Sequence, residues 1–140
     1  MKKIIKLFSE NKNFNLDKSF SNLKSLEKAE ILITDNSSIV FEFMLIFKRP
    51  IIYIDYKEKI HNINRDKIPI ITIEEEFKTV FGNQLNINDI ENLADLCENL
   101  IKENNVSSQL VDSFAKKYLS NLDHSASFAA NYLTNKSKSN

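Results

Sequence analysis

Glycine is almost missing from this chain: Gly82 is the only one in 140 residues. A glycine-rich phosphate loop is therefore excluded, and any phosphate bound here must be held by other donors. Cysteine is as sparse. The lone Cys97 can form neither an intrachain disulfide nor a cysteine-rich metal site, which suits a reducing compartment. It sits in "IENLADLCENLI", a helical apolar pattern that favours a buried, inert thiol over a reactive one. Tryptophan is absent and the only prolines are Pro50 and Pro69. Net charge is also absent, with nineteen basic residues against nineteen acidic ones, so no global field points to nucleic acid or an anionic membrane. No apolar run approaches the roughly 18 residues of a membrane span. The basic start "MKKIIKLF" is interrupted at Lys6 and followed by Glu10 and Lys12, so it lacks the apolar core of a signal peptide. These features predict a cytoplasmic protein whose membrane association is at most peripheral. Asp35, Asp55 and Asp66 are scattered, no histidine or cysteine spacing marks zinc, and no cofactor is indicated.

What is present has the composition of one ordinary globular domain, 42% apolar and 27% charged. The expected domain covers residues 1–134, with a polar, disordered tail over 135–140. Residues 2–10 predict a short helix and "FNLD" (14–17) a short strand. A helix is expected over 19–29, capped by Ser19, with Phe20, Leu23 and Leu26 inward. "EILIT" then reads as a strand buried on both faces of a parallel sheet. "SSIVFEFMLIF" reads as a buried helix ended by Arg49-Pro50, because the residue before proline avoids the α region. "IIYID" is the next buried strand, so residues 30–55 form a βαβ unit. "IPIITI" predicts a third, edge strand. The remainder is helical: "EEEFKTVFG" closed by Gly82 at a C′ position, a helix over 86–104 capped by Asn86 or Asn88, and two further helices.

Between the two central strands lies the polar stretch Thr34-Asp35-Asn36-Ser37-Ser38. Ligands of open α/β sheets sit beyond the carboxyl ends of the strands, where a helix presents unpaired N–H groups and partial positive charge. Ser37 and Ser38 add hydroxyl donors there, which makes a phosphate cradle without glycine. Glu42, one turn on, is a carboxylate in an apolar neighbourhood that could accept from ribose hydroxyls. The same stretch also fits an ordinary helix N-cap, and Glu42 fits a salt bridge with Lys48 or Arg49. Downstream, Lys59, His61 and Arg65 stand in a polar loop as possible phosphate contacts or as solvated residues. A phospho-accepting receiver domain built on Asp35 is disfavoured, since Asp17 is a poor candidate for the earlier acidic pair and Lys57 would have to supply the lysine.

The segment "AEILITDNSSIVFEFMLIFKRPIIYID" resembles a conserved stretch of the CDP-glycerol glycerophosphotransferases, which polymerise teichoic-acid-type glycerol phosphate. The likeness rests on Ile33-Thr34-Asp35, Ser37-Ser38, an acid at Glu42, and Pro50 before an apolar strand. Asn36 replaces the usual tyrosine and Glu42 the commoner aspartate. The C-terminal "NLDHSASFAANYL" is similar to the family's ending, with His124 where glycine is usual. The resemblance implies a partial C-terminal domain of a GT-B fold: a small parallel Rossmann-like sheet flanked by helices, with a helical C-terminal half. It implies that Ser37 and Ser38 approach the donor pyrophosphate, that Glu42 approaches the ribose, and that Asp35 shapes the turn. It also implies a CDP-activated small-molecule donor, work at the inner face of the cell membrane, and an amino-terminal GT-B domain or second copy to complete the cleft. A non-enzymatic α/β module retaining only the fold is the competing expectation.

Overall fold

A computed structural model of the chain describes residues 2–55, 67 and 69–137. It divides into two compact units, Met1–Glu30 and Ile31–Asn140.

The first unit contains helix α1 (Lys2–Phe8) and helix α2 (Leu23–Lys28). The segment 14–17 is not a strand. Asp17 there serves as a local acceptor instead: its carboxylate takes hydrogen bonds from the Ser19 hydroxyl, the Ser25 hydroxyl and the Ser19 N–H. Led by the Ser19 hydroxyl, these bonds hold the carboxyl at about 2. Ser19 is thereby occupied in a turn, and α2 begins three residues later than expected, after Asn22. Phe20 lies outside the helix and is fully exposed, whereas Leu26 is buried.

The second unit is α/β. Its sheet consists of β1 (Leu32–Thr34), β2 (Ile51–Asp55) and β3 (Gly82–Asn86), all parallel, in the order β1-β2-β3. β2 is central, and Ile51, Ile52 and Tyr53 are buried, as its unbroken apolar run requires. β1 is an edge strand. Ile33 is 44% exposed, so the expectation that this strand is buried on both faces is corrected. The β1–β2 crossover is the expected helix: α3 (Ile39–Glu42) continues into a π-helical turn, Phe43–Phe47. Phe43 and Met44 are fully buried there. Lys48 ends the turn in the left-handed region (φ 51°), which frees the chain for Arg49-Pro50 and β2.

The expected third strand is also corrected. Residues 69–72 are not in a strand, and Ile70 and Ile71 are exposed, while Ile73 opens helix α4 (Ile73–Phe81). Thr72 caps α4 in a reciprocal box: its hydroxyl accepts from Glu75 N–H at 3.2 Å, and the Glu75 carboxylate accepts from Thr72 N–H at 3.0 Å. Gly82 ends α4 through its N–H to the Lys78 carbonyl, yet its backbone is extended (φ −87°) and starts β3, not a left-handed C′ turn. Its lack of a side chain answers to space. A Cβ there would lie 2.5 Å from the Lys78 carbonyl oxygen and 2.6 Å from a Tyr53 ring carbon.

Beyond β3 a 3₁₀ segment (Ile87–Asn92), capped by Asn86, precedes α5 (Leu93–Glu103), so the helix expected over 86–104 is broken near Asp89. Leu93, Leu96, Cys97, Leu100 and Ile101 are half-buried along one stripe of α5. Burial pushes the Cys97 thiol up, which suppresses the reactive thiolate. Helices α6 (Ser108–Tyr118) and α7 (Ser125–Ser137) follow. α6 buries Val111 and Phe114. Phe114 joins Phe41, Phe77 and Phe81 in a ring cluster centred on the fully buried Phe77, with centroids 4.6, 4.8 and 5.2 Å from Phe77 for Phe41, Phe81 and Phe114. Since Phe41 belongs to α3 and Phe77 to α4, both helices pack together, and each sends its N-terminus toward the same edge of the sheet.

Candidate functional site

The carboxyl end of β1 opens into a cleft of about 260 Å³ lined by Asn36, Ser37, Ser38, Val40, Tyr53 and Glu74. Four elements build it. The polar turn after β1 supplies Asn36 and the two serines, α3 supplies Val40, β2 supplies Tyr53, and the first turn of α4 supplies Glu74. The register explains the meeting of the polar turn and β2, because Thr34 pairs with Tyr53 across the parallel ladder. The backbone of Tyr53 therefore lies beside the last residue of β1, where the polar turn begins.

The serines are not spent on helix capping. Ser38 already has helical backbone angles (φ −65°, ψ −13°) and makes no side-chain capping hydrogen bond to α3. An ordinary N-cap has extended angles and an accepting side chain, as Thr72 and Ser107 show in this same chain. Asn36, Ser37 and Ser38 are all exposed, with side chains available at the cleft.

The remaining expected residues fall as follows. Thr34 is partly exposed and Asp35 exposed, and neither lines the cleft. Glu42 is exposed on α3 outside the lining, and among the described residues no hydrogen bond or ion pair engages its carboxylate. The expected salt bridge to Lys48 is replaced by one from Lys48 to Asp112 at 2.7 Å. Lys59, His61 and Arg65 lie outside the described residues.

Three lining residues were not anticipated, the apolar Val40 and the polar Tyr53 and Glu74. Tyr53 is 3% exposed, and burial pushes its phenol up to about 12, so it stays neutral and keeps its proton. Lys78 stands 5.5 Å from the ring centroid and pairs with Asp55 at 2.7 Å, so this cation is already neutralised. Glu74 is exposed at the cleft rim. The sequence did carry a signal for it: Thr72-x-x-Glu75 is a capping box, which sets a helix start at that point. For Tyr53 the signal was weaker, a single phenol in an otherwise aliphatic strand centre.

Among the described residues no group of three or more histidine, cysteine or acidic side chains is placed to hold a metal ion, and no helix is long and apolar enough to cross a membrane. A family model described as CDP-Glycerol:Poly(glycerophosphate) glycerophosphotransferase matches residues 2–129 of the chain. Neither a curated protein nor a solved structure matches it.

Proposed function

The chain belongs to the CDP-glycerol:poly(glycerophosphate) glycerophosphotransferase family, and on that premise we propose that it binds the diphosphate of a CDP-activated alcohol at Asn36, Ser37 and Ser38. The observation that carries the proposal is the unspent pair of serines. Hydroxyl donors at the start of a helix, bound to no backbone group among the described residues and lining a cleft, are what a phosphate needs where glycine is missing. In the complete reaction an acceptor hydroxyl attacks the β-phosphorus of CDP-glycerol. The new P–O bond forms as the bond to CMP breaks, and the hydroxyl proton passes to a general base. The serine hydroxyls and amides would hold the charge that develops on the phosphate oxygens. The acceptor side and the base come from a second domain or a second copy, so the chain by itself holds donor without polymerising it. The setting is the synthesis of a cell-surface polymer at the inner face of the membrane.

Calorimetric titration of the full chain with CDP tests this. Binding that is lost on combined Ser37→Ala and Ser38→Ala substitution is expected. No heat at millimolar CDP would favour the competing assignment, an α/β module that keeps the fold and binds no nucleotide. Polymer made from CDP-glycerol by the chain alone would overturn the division of labour.

A further inference from the structure

The cleft lining carries two kinds of polar group. Asn36, Ser37 and Ser38 offer neutral donors, while Glu74 and Tyr53 add a carboxylate and a phenol. Of the three acids in the first turn of α4 only Glu74 lines the cleft, Glu75 being held in the Thr72 capping box and Glu76 by Lys117 and Tyr118, and a carboxylate there repels a phosphate beside it. An ionised carboxylate only accepts, and the group opposite it must donate.

Tyr53 gives the second, independent observation. Its side chain is more than nine-tenths buried, yet its hydroxyl makes no hydrogen bond among the described residues. No fully buried side-chain polar atom among the described residues lacks a partner. The phenol oxygen therefore keeps some contact with solvent, and Tyr53 lines the cleft. A buried strand residue that spends its volume in the core and leaves its one polar atom unpaired at a cleft is placed for a ligand.

We propose that Glu74 and Tyr53 recognise the hydroxyl-bearing unit joined to the phosphate, with Glu74 accepting from its hydroxyls and the Tyr53 phenol hydrogen-bonding beside it. The inference rests on the phosphate assignment to Ser37 and Ser38. Ligand pockets commonly run from roughly 300 to 1,000 Å³. At about 260 Å³ this cleft takes a phosphate and the unit next to it, not a whole nucleotide diphosphate. That neighbour is either the ribose or the glycerol of the donor, and both present hydroxyls. The assignment moves hydroxyl recognition away from Glu42, which lies outside the lining.

The test is titration of the wild-type chain, Glu74→Gln, Tyr53→Phe and Glu42→Gln with CDP, 2′,3′-dideoxy-CDP, CDP-glycerol and pyrophosphate. Glu74→Gln and Tyr53→Phe should each weaken a hydroxyl-bearing ligand about tenfold and leave pyrophosphate affinity in place. If the ribose is the unit held, dideoxy-CDP binds wild type weakly and is insensitive to both substitutions. If the glycerol is held, CDP and dideoxy-CDP behave alike and only CDP-glycerol responds. CDP-glycerol affinity that is unchanged by both Glu74→Gln and Tyr53→Phe, or that falls on Glu42→Gln alone, overturns this assignment and leaves the serine cradle standing. Wild type that binds none of the four overturns both.

Discussion

Replacing Gly82 by alanine should destabilise the protein although its backbone angles suit any residue. With φ at −87° no left-handed strain exists, and in a neutral environment Gly→Ala would stabilise by about 0.4–1 kcal/mol through the unfolded chain. Here the new methyl would meet the Lys78 carbonyl oxygen at 2.5 Å and two Tyr53 ring carbons at 2.6 and 2.7 Å. The carbonyl is backbone and accepts the Gly82 N–H that ends α4, so it cannot retreat without opening the cap. The ring is held on the central strand. Overpacking of this kind costs roughly 1–3 kcal/mol, and two obstacles on opposite elements place the net loss at about 2 kcal/mol. In urea, with a slope of about 1–3 kcal/mol/M, the midpoint should fall by about 1 M. The diagnostic step is to repeat the substitution in Tyr53→Val, whose side chain ends short of the two ring carbons. The cost of Gly82→Ala should shrink there by on the order of 1 kcal/mol, a coupling that circular dichroism melts in urea can resolve. Equal costs in both backgrounds, or a stabilising Gly82→Ala, would refute the packing account of this glycine.

Three further outcomes follow from the same geometry. The Glu76 carboxyl is held low by the Lys117 ammonium at 2.7 Å and the Tyr118 hydroxyl. That stabilisation is fully present above the ordinary carboxylate range and is lost as pH falls through the folded value, so Glu76→Gln should flatten part of the acid decline seen by urea melts at stepped pH. The Tyr53 phenol titrates near 10 when unfolded and at about 12 when folded. Its contribution is complete below pH 10 and falls by up to about 3 kcal/mol between pH 10 and 12; Tyr53→Phe should remove this alkaline slope. Phe77, fully buried among three rings, should cost about 3–5 kcal/mol as alanine, and a loss under 1 kcal/mol in chemical denaturation would show that the ring cluster is not the core.

Much of the second unit was legible because its signals are local. Two apolar runs, a polar turn and Pro50 determine a strand, a helix and a strand within one short stretch, and β1, α3 and β2 lie there. The errors share one cause. "IPIITI" has the composition of a strand, but its isoleucines at 70 and 71 are exposed. The strand that completes the sheet is Gly-Asn-Gln-Leu-Asn, three of whose residues disfavour β structure. Pairing with β2 over all five residues, together with burial of Leu85, outweighs that preference. Which segment docks on β2 depends on where α4 returns the chain, and no window of a few residues contains that information. Phe20 and Ser19 failed similarly, since the acceptor that diverts Ser19 is Asp17 rather than a helix end.

The serine cradle illustrates how site and fold divide between the two levels. Thr34 to Ser38, with its neighbouring strands, was readable as a polar turn at a sheet edge, and the motif alone named the family. Sequence could not decide whether the serines cap the helix or face a ligand, because both uses place the same residues at the same positions. The tertiary structure adds that Ser38 is already helical and makes no side-chain capping hydrogen bond to α3. It also brought Tyr53 and Glu74, 15 and 36 positions beyond Ser38, to the same cleft. Local sequence determines what each segment can form, since hydrogen bonding and side-chain period act over a few residues. Which polar atoms remain unpaired, and which meet across a cleft, is set by packing between distant segments, beyond the reach of any short window of sequence.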